Sequence, residues 1–166
     1  MNNLAKLTIV IVTYKTDSTI LKNCLNSIDK NVEIKIIENS FKKENQIFSI
    51  DKKNNLSIHF TGKNLGYGAG NNYGFNLVNT DYVIVANPDI VCHKTFFDNI
   101  KKYLDSSLNF TIIGSTNNQD KSFLSSGVFK ENEKKKYRID IESPTEKVFD
   151  TLTKVDWVTG CMMLIN

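Results

Sequence analysis

The chain has 166 residues, 40% of them hydrophobic and 23% charged, the composition of one globular domain with its own core rather than of a disordered or fibrous chain. Its net charge of +3 comes from lysines spread along the whole length with a single arginine, Arg138, which argues against the clustered, arginine-rich face of a nucleic-acid binder. No stretch approaches the roughly 18 apolar residues of a membrane span, and the three isolated cysteines, Cys24, Cys92 and Cys161, argue against a disulfide framework or zinc site and fit a reducing cytosol.

The N-terminal apolar core, Leu7 to Val12, is too short for a signal-peptide core and has no small-residue cleavage site after it. Instead LTIVIVTY (7–14) is a β-branched run that predicts a strand buried on both faces. Thr16, Asp17 and Ser18 can cap a helix over STILKNCLNSI, where Ile20, Leu21, Cys24, Leu25 and Ile28 recur at helical spacing. VEIKIIENS (32–40) predicts a second strand, FKKENQIFSIDKK a short helix, and LSIHFTG (56–62) a third strand. A glycine-rich stretch follows, and NNYGFNLVNT predicts a helix running to Thr80. DYVIVANPDI gives a fourth strand, KTFFDNIKKYLD a helix, and NFTIIGST (109–116) a fifth strand.

Strand and helix alternate with short connections to about residue 116, which is the sequence form of a mostly parallel sheet flanked by helices. Beyond 116 the pattern changes to short antiparallel pieces and loops, including the basic run KENEKKKYR (130–138), read as a solvated hairpin or loop. VDWVTGCMMLI then resumes strand character. A chain that stops in such an apolar run is expected to be a fragment of something longer.

In an open parallel sheet, ligands sit beyond the carboxyl ends of the strands. The residues placed there are Thr13-Tyr14-Lys15, Glu38-Asn39-Ser40, Gly62 through Asn72, and Asn87-Pro88-Asp89. Each group is dominated by polar or small residues, and all four can line one crevice. Within KNLGYGAGNNYGF (63–75), three glycines fall inside five residues. The stretch is not a P-loop, because Gly62-Lys63 is followed by Asn64. It is not a dinucleotide fingerprint either, because Gly66 and Gly68 are followed by Asn71 where a third glycine belongs. It reads as a glycine turn feeding a helix N-terminus, suited to a diphosphate or a sugar hydroxyl, or else as glycines packed under a helix. Asp89 follows the fourth strand directly. It can supply a carboxylate to a hard divalent ion that takes its other ligands from phosphates, or it can cap the next helix. Pro88 stiffens the turn that carries it.

Taken in order, TIVIVTYK, IIENS, NLGYGAGNNYG, YVIVANPDI and VDWVTGCMMLI resemble the N-terminal part of glycosyltransferase family 2 enzymes of the GT-A fold. The likeness is greatest to the bacterial rhamnosyltransferase-type branch and spans nearly the whole chain. The resemblance implies a single GT-A-type domain over 1–166, with a nucleotide-sugar-binding part at 1–116 and the start of an acceptor-side part at 117–166. It implies that Thr13 and Tyr14 hold the nucleotide, with Lys15 near the phosphates. Glu38, standing where the usual aspartate would be, contacts the base or ribose with Asn39 beside it. Asn64, Gly66, Gly70 and Asn71 lie against the nucleotide-sugar. NPD occupies the place of the metal motif, so Asn87 replaces the first carboxylate and Asp89 is the ligand to Mg2+ or Mn2+. Asp156, Trp157 and Gly160 border the acceptor side, where Trp157 either stacks on a sugar or serves as a core aromatic.

The implied reaction is an inverting displacement, with a UDP- or dTDP-sugar (rhamnose by the branch resemblance) as donor. A saccharide or lipid-linked acceptor in surface polysaccharide synthesis receives the sugar. The general base belongs to a Glu-Asp-type motif expected beyond Asn166. Such a protein works in the cytoplasm at the inner face of the plasma membrane, in peripheral association with it, and a cut C-terminal strand would leave an edge able to drive homodimer formation. Two other functions are open to the same residues. One is a non-catalytic nucleotide-sugar-binding module without a base. The other is a sugar nucleotidyltransferase, against which VTYKTDST argues because it lacks the glycine and arginine of that loop.

Overall fold

The computed structural model describes residues 3–41, 55–104, 109–115, 126–132, 135–140 and 157–166, giving the backbone alone at Asn3, 126–132, 135–140 and Trp157. The helix expected within FKKENQIFSIDKK lies outside the described residues, except for Phe41, and so does Asp156. After a 3-10 turn at Asn3–Lys6 come β1 (Leu7–Thr13), α1 (Ser18–Asn26), β2 (Glu33–Glu38), β3 (Leu56–Phe60), α2 (Tyr67–Phe75) and β4 (Tyr82–Ala86). These are followed by α3 (Phe96–Leu104), β5 (Ile112–Gly114), the hairpin strands β6 (Ser126–Asn132) and β7 (Lys135–Asp140), then β8 (Trp157–Val158) and β9 (Met162–Ile165).

Six strands form one sheet in the order β3-β2-β1-β4-β9-β5. β3, β2, β1 and β4 run parallel, whereas β9 is antiparallel to both β4 and β5. The chain moves from β1 outward to β2 and β3, then returns to the other side of β1 for β4. The switch point therefore falls between β1 and β4, where a crevice opens at the carboxyl ends of these strands. The continuous apolar sequence of β1 has the predicted consequence: all seven of its residues are buried.

Alternation along β1 assigns its side chains to two different helix layers. Ile9 and Ile11 pack with Leu21, Cys24 and Leu25 of α1 and with Phe97, Ile100 and Leu104 of α3. Val10 and Val12 join Ile37 on the other face, against Phe75, Leu77 and Val78. Asp17 caps α1, its carboxylate accepting from the Thr19 and Ile20 backbone N–H groups at 2.8 and 3.1 Å. Those bonds hold the carboxyl below the ordinary value.

α2 differs from its expected extent. It starts at Tyr67 and ends at Phe75, instead of running from Asn71 to Thr80. Glycine has poor helix propensity, yet here it allows close packing. A Cβ on Gly74 would lie 2.4 Å from Val10 Cγ1, and one on Gly70 would lie 2.9 Å from Val12 Cγ1. The i, i+4 pair of glycines thus seats α2 directly on the valines of β1. The fifth strand is also shorter than expected, since only Ile112–Gly114 pair. The apolar run at the end of the chain forms β9, with Met162 and Leu164 buried. Because β9 is hydrogen-bonded on both sides, it does not provide the free pairing edge expected of it. The second sheet, β7-β6-β8, is antiparallel, as the lapse in alternation after residue 116 suggests.

Candidate functional site

The strand ends at the switch point are joined by hydrogen bonds into a continuous arc. At the first position, Thr13 is buried and its hydroxyl donates to Glu38 Oε2 at 2.5 Å. The other carboxylate oxygen accepts from the Lys15 backbone N–H at 3.3 Å. Glu38 is fully buried, so its longer side chain turns inward and braces the β1 loop. Lys15 has φ 52°, a left-handed conformation that costs a non-glycine residue about 1 kcal/mol or more and needs support from its surroundings. The bond from Glu38 supplies part of that support. Tyr14 stands half exposed beside it, with Lys15 Nζ 5.6 Å from its ring centroid.

Asn39 extends the arc to the glycine stretch. Its backbone N–H donates to Thr13 O at 2.8 Å. Its side-chain Nδ2 donates to Gly66 O at 3.0 Å, and its Oδ1 lies 3.3 Å from the Thr61 hydroxyl, whose short bond goes to Lys63 O at 2.6 Å. Asn64 forms an Asx turn, its Oδ1 accepting from Gly66 N–H at 2.9 Å. Gly66 sits at φ 79° as the N-cap of α2, with no side-chain cap bond, and nothing lies within 4 Å of where its Cβ would be. The first N–H groups of α2 have no partner within the helix, and the space beside Gly66 is open. Gly70 and Asn71 lie one turn further on and are buried. Gly70 thus has a packing role whatever else it does. Asn71 Nδ2 donates to Tyr67 O at 3.0 Å, while its Oδ1 is buried with no hydrogen-bond partner.

At the far end of the arc is the turn between β8 and β9. The Tyr67 hydroxyl donates to Gly160 O at 2.6 Å, and Asn87 N–H donates to Cys161 O at 2.8 Å. Gly160, named from the sequence, is thereby joined to the glycine stretch. Trp157 pairs with Gly127 through its backbone. Asp89 is exposed two residues beyond Asn87. Its charge reaches the Cys24 thiol. Burial is the main cause that pushes this thiol up to about 12, with Cys92 and Asp89 adding to it. Burial also raises the Cys92 thiol. Neither cysteine is set up as a nucleophile. Among the described residues, no three His, Cys, Asp or Glu side chains gather in a metal-binding group.

Thr13, Lys15, Glu38, Asn39, Asn64, Gly66, Asn71, Asn87 and Gly160 are therefore linked, directly or through one intervening residue, in one arc. Sequence reasoning placed Tyr67 at the crevice only as part of Gly62 through Asn72, with no role of its own, and missed Thr61 and Cys161. Tyr67 stands inside the glycine stretch, and its aromatic ring among glycines was the available signal. Thr61 and Cys161 act through atoms that no spacing marks.

A model of the family described as "Glycosyl transferase family 2" matches residues 8–156. No curated protein sequence matches the chain closely. Among solved structures, S. aureus TarS 1-349 is 18% identical at a TM-score of 0.51, the likeness covering 60% of this chain and 32% of that one. The mannosyltransferase PcManGT from Pyrobaculum calidifontis, solved with GDP-Man and Mn2+, is 12% identical at a TM-score of 0.54, over 64% of this chain and 34% of that one. A 4-diphosphocytidyl-2C-methyl-D-erythritol synthase from Anaerococcus prevotii is 12% identical at 0.51, over 100% and 73%. At these identities the likeness is one of fold. The chain spans about a third of the length of the TarS and PcManGT chains.

Proposed function

We propose a function from one established premise, that this chain belongs to glycosyl transferase family 2: it carries the donor half of an inverting glycosyltransferase that moves a sugar from a nucleoside-diphosphate carrier to a saccharide or lipid-linked acceptor. The observation that carries this reading is the arc itself. Four strand ends and the β8–β9 turn surround one crevice at the switch point. They are held by bonds from Thr13, Glu38, Asn39, Tyr67 and Asn87. A ring of this kind can grip an elongated ligand along its length, with a base at one end, a diphosphate in the middle and a sugar at the other.

The Thr13–Lys15 loop and Asn39 would line the nucleoside, while the open α2 N-terminus at Gly66 would face the diphosphate-sugar. UDP and dTDP donors both suit this arrangement, and the rhamnosyltransferase-type resemblance favours rhamnose. Asp89 offers an exposed carboxylate just beyond β4, near the Cys24 thiol that burial keeps protonated. A hard oxygen donor of this kind suits Mg2+ or Mn2+ that takes its other ligands from the diphosphate. When bound, such an ion offsets charge on the departing diphosphate. In the transfer step an acceptor hydroxyl oxygen bonds to the anomeric carbon as the bond to the phosphate oxygen breaks. The hydroxyl proton passes to a carboxylate base. Asp156, Trp157 and Gly160 would border the acceptor. Sugar-polymer synthesis at the inner membrane face, by peripheral association, is the setting we propose.

Nucleotidyl transfer shares the fold, as a "Putative Glucose-1-Phosphate Thymidylyltransferase" from Bacillus anthracis illustrates, but the β1 loop here has no glycine or arginine to hold a nucleoside triphosphate. A binding module without turnover is separated from the enzyme by assay with the acceptor. The proposal is tested by calorimetric titration with UDP, dTDP and GDP, with and without Mn2+, on the native chain and on Asp89→Ala. Expected is metal-dependent binding of one nucleotide, weakened at least about tenfold by the substitution, since removing a direct charge partner is worth about 1.4 kcal/mol or more. Equal binding by both proteins would remove Asp89 from the site.

A further inference from the structure

Tyr67 is the first residue of α2, directly after Gly66. Its main chain belongs to the helix start, where the leading N–H groups have no partner within the helix. Its side chain leaves in another direction. The hydroxyl crosses to Gly160 O at 2.6 Å, joining residues 93 positions apart in sequence. Asn71 braces the same residue by donating to its carbonyl. The turn that receives the phenol is gripped elsewhere too. Cys161 O accepts from Asn87 N–H, and Cys161 N–H donates to the Thr159 hydroxyl at 3.2 Å. Val158 fits against Gly114, where a Cβ would come within 2.5 Å of Val158 Cγ1. Of these contacts, the one from Tyr67 alone comes from the helix that faces the proposed diphosphate. A short bond from a residue still 42% exposed is also the contact most readily changed by events at the helix start.

We infer that Tyr67 is a positioning residue that couples the two sides of the crevice: its phenol holds the β8–β9 turn in place, and ligand at the α2 N-terminus tightens that hold. The inference rests on the nucleotide-sugar reading for the coupling, and on the Tyr67–Gly160 bond for the hold. Burial raises the phenol above its ordinary value, while Asn71 partly offsets the rise. The hydroxyl therefore stays a donor across neutral and mildly alkaline pH. An acceptor entering beside Gly160 would meet a turn whose order depends on the donor already being present.

Hydrogen–deuterium exchange on the full chain and on Tyr67→Phe tests this, with and without UDP, dTDP or GDP plus Mn2+. The phenylalanine keeps the ring beside Gly160 and removes the hydroxyl alone. Without nucleotide, exchange across 157–163 should rise about threefold to tenfold, the usual effect of one neutral hydrogen bond, while 7–13 and 82–86 stay unchanged. An unchanged turn would overturn the hold, as would an equal rise throughout the sheet. With nucleotide, the native chain should gain protection at both 64–72 and 157–163, and the variant at 64–72 alone. Protection of both segments in the variant would overturn the coupling. Protection of neither segment in the native chain would overturn the nucleotide reading together with the coupling, leaving the hold to the ligand-free comparison.

Discussion

At the scale of single residues, Glu38 shows how a strand-end carboxylate can serve a site from inside the protein. It has no exposure, and both of its oxygens are engaged, by the Thr13 hydroxyl and the Lys15 N–H. Replacing it with alanine would strand a buried hydroxyl and leave the left-handed Lys15 without its tie. Glu38→Ala is expected to lower unfolding free energy by about 2–3 kcal/mol, the worth of hydrogen bonds to a charged group, as read from urea denaturation. A loss under about 0.5 kcal/mol would mean that the carboxylate is not needed to set this loop. The sequence marked Glu38 as a strand-end residue facing the crevice. It did not show that the carboxylate points inward, because its partners lie 25 and 23 positions away. Asn39 was legible in the same limited sense. Its place after a strand was visible, but its bond to Gly66 was not.

At the scale of elements, the glycine stretch divides into two kinds of position. Gly66 has a positive φ and an open surround, whereas Gly70 and Gly74 are glycine because α2 lies against Val12 and Val10. The packing reading open to the sequence holds at Gly70 and Gly74, while Gly66 forms the turn that feeds the helix N-terminus. Gly74→Ala forces a methyl to 2.4 Å from Val10 Cγ1 and is expected to cost about 1–3 kcal/mol through overpacking. Gly68 is also helical but has nothing within 4 Å of a Cβ, so Gly68→Ala should stabilise by about 0.5–1 kcal/mol through the backbone entropy of the unfolded chain. Thermal melts of the two variants check this as a pair. Shifts of the same sign would contradict the packing account. Here local propensity misled the reading of the helix bounds. Glycine-rich sequence reads as a loop, and contact with the sheet overrides it. β1, by contrast, was fully legible, since an unbroken β-branched run has few other places to go than the centre of a parallel sheet.

At the scale of the whole molecule, the alternation of strands and helices fixed the parallel half of the sheet and, with it, the crevice. The insertion of antiparallel β9 between β4 and β5 was not legible. A strand's apolar character shows that it is buried but does not name its neighbours. That insertion has a consequence for the site, because it brings Gly160 and Cys161 to the carboxyl end of β4 and closes the arc. The central claim is that these five segments make one nucleotide site at the switch point. The most direct test is a backbone amide NMR titration of the native chain with UDP, dTDP and GDP in the presence of Mg2+. The account predicts shifts with one of them, confined to Thr13–Lys15, 39–41, 62–72, 87–90 and 158–161. Shifts at the opposite ends of the strands, around Leu7, Glu33, Leu56 and Tyr82, or none with any nucleotide, would contradict it.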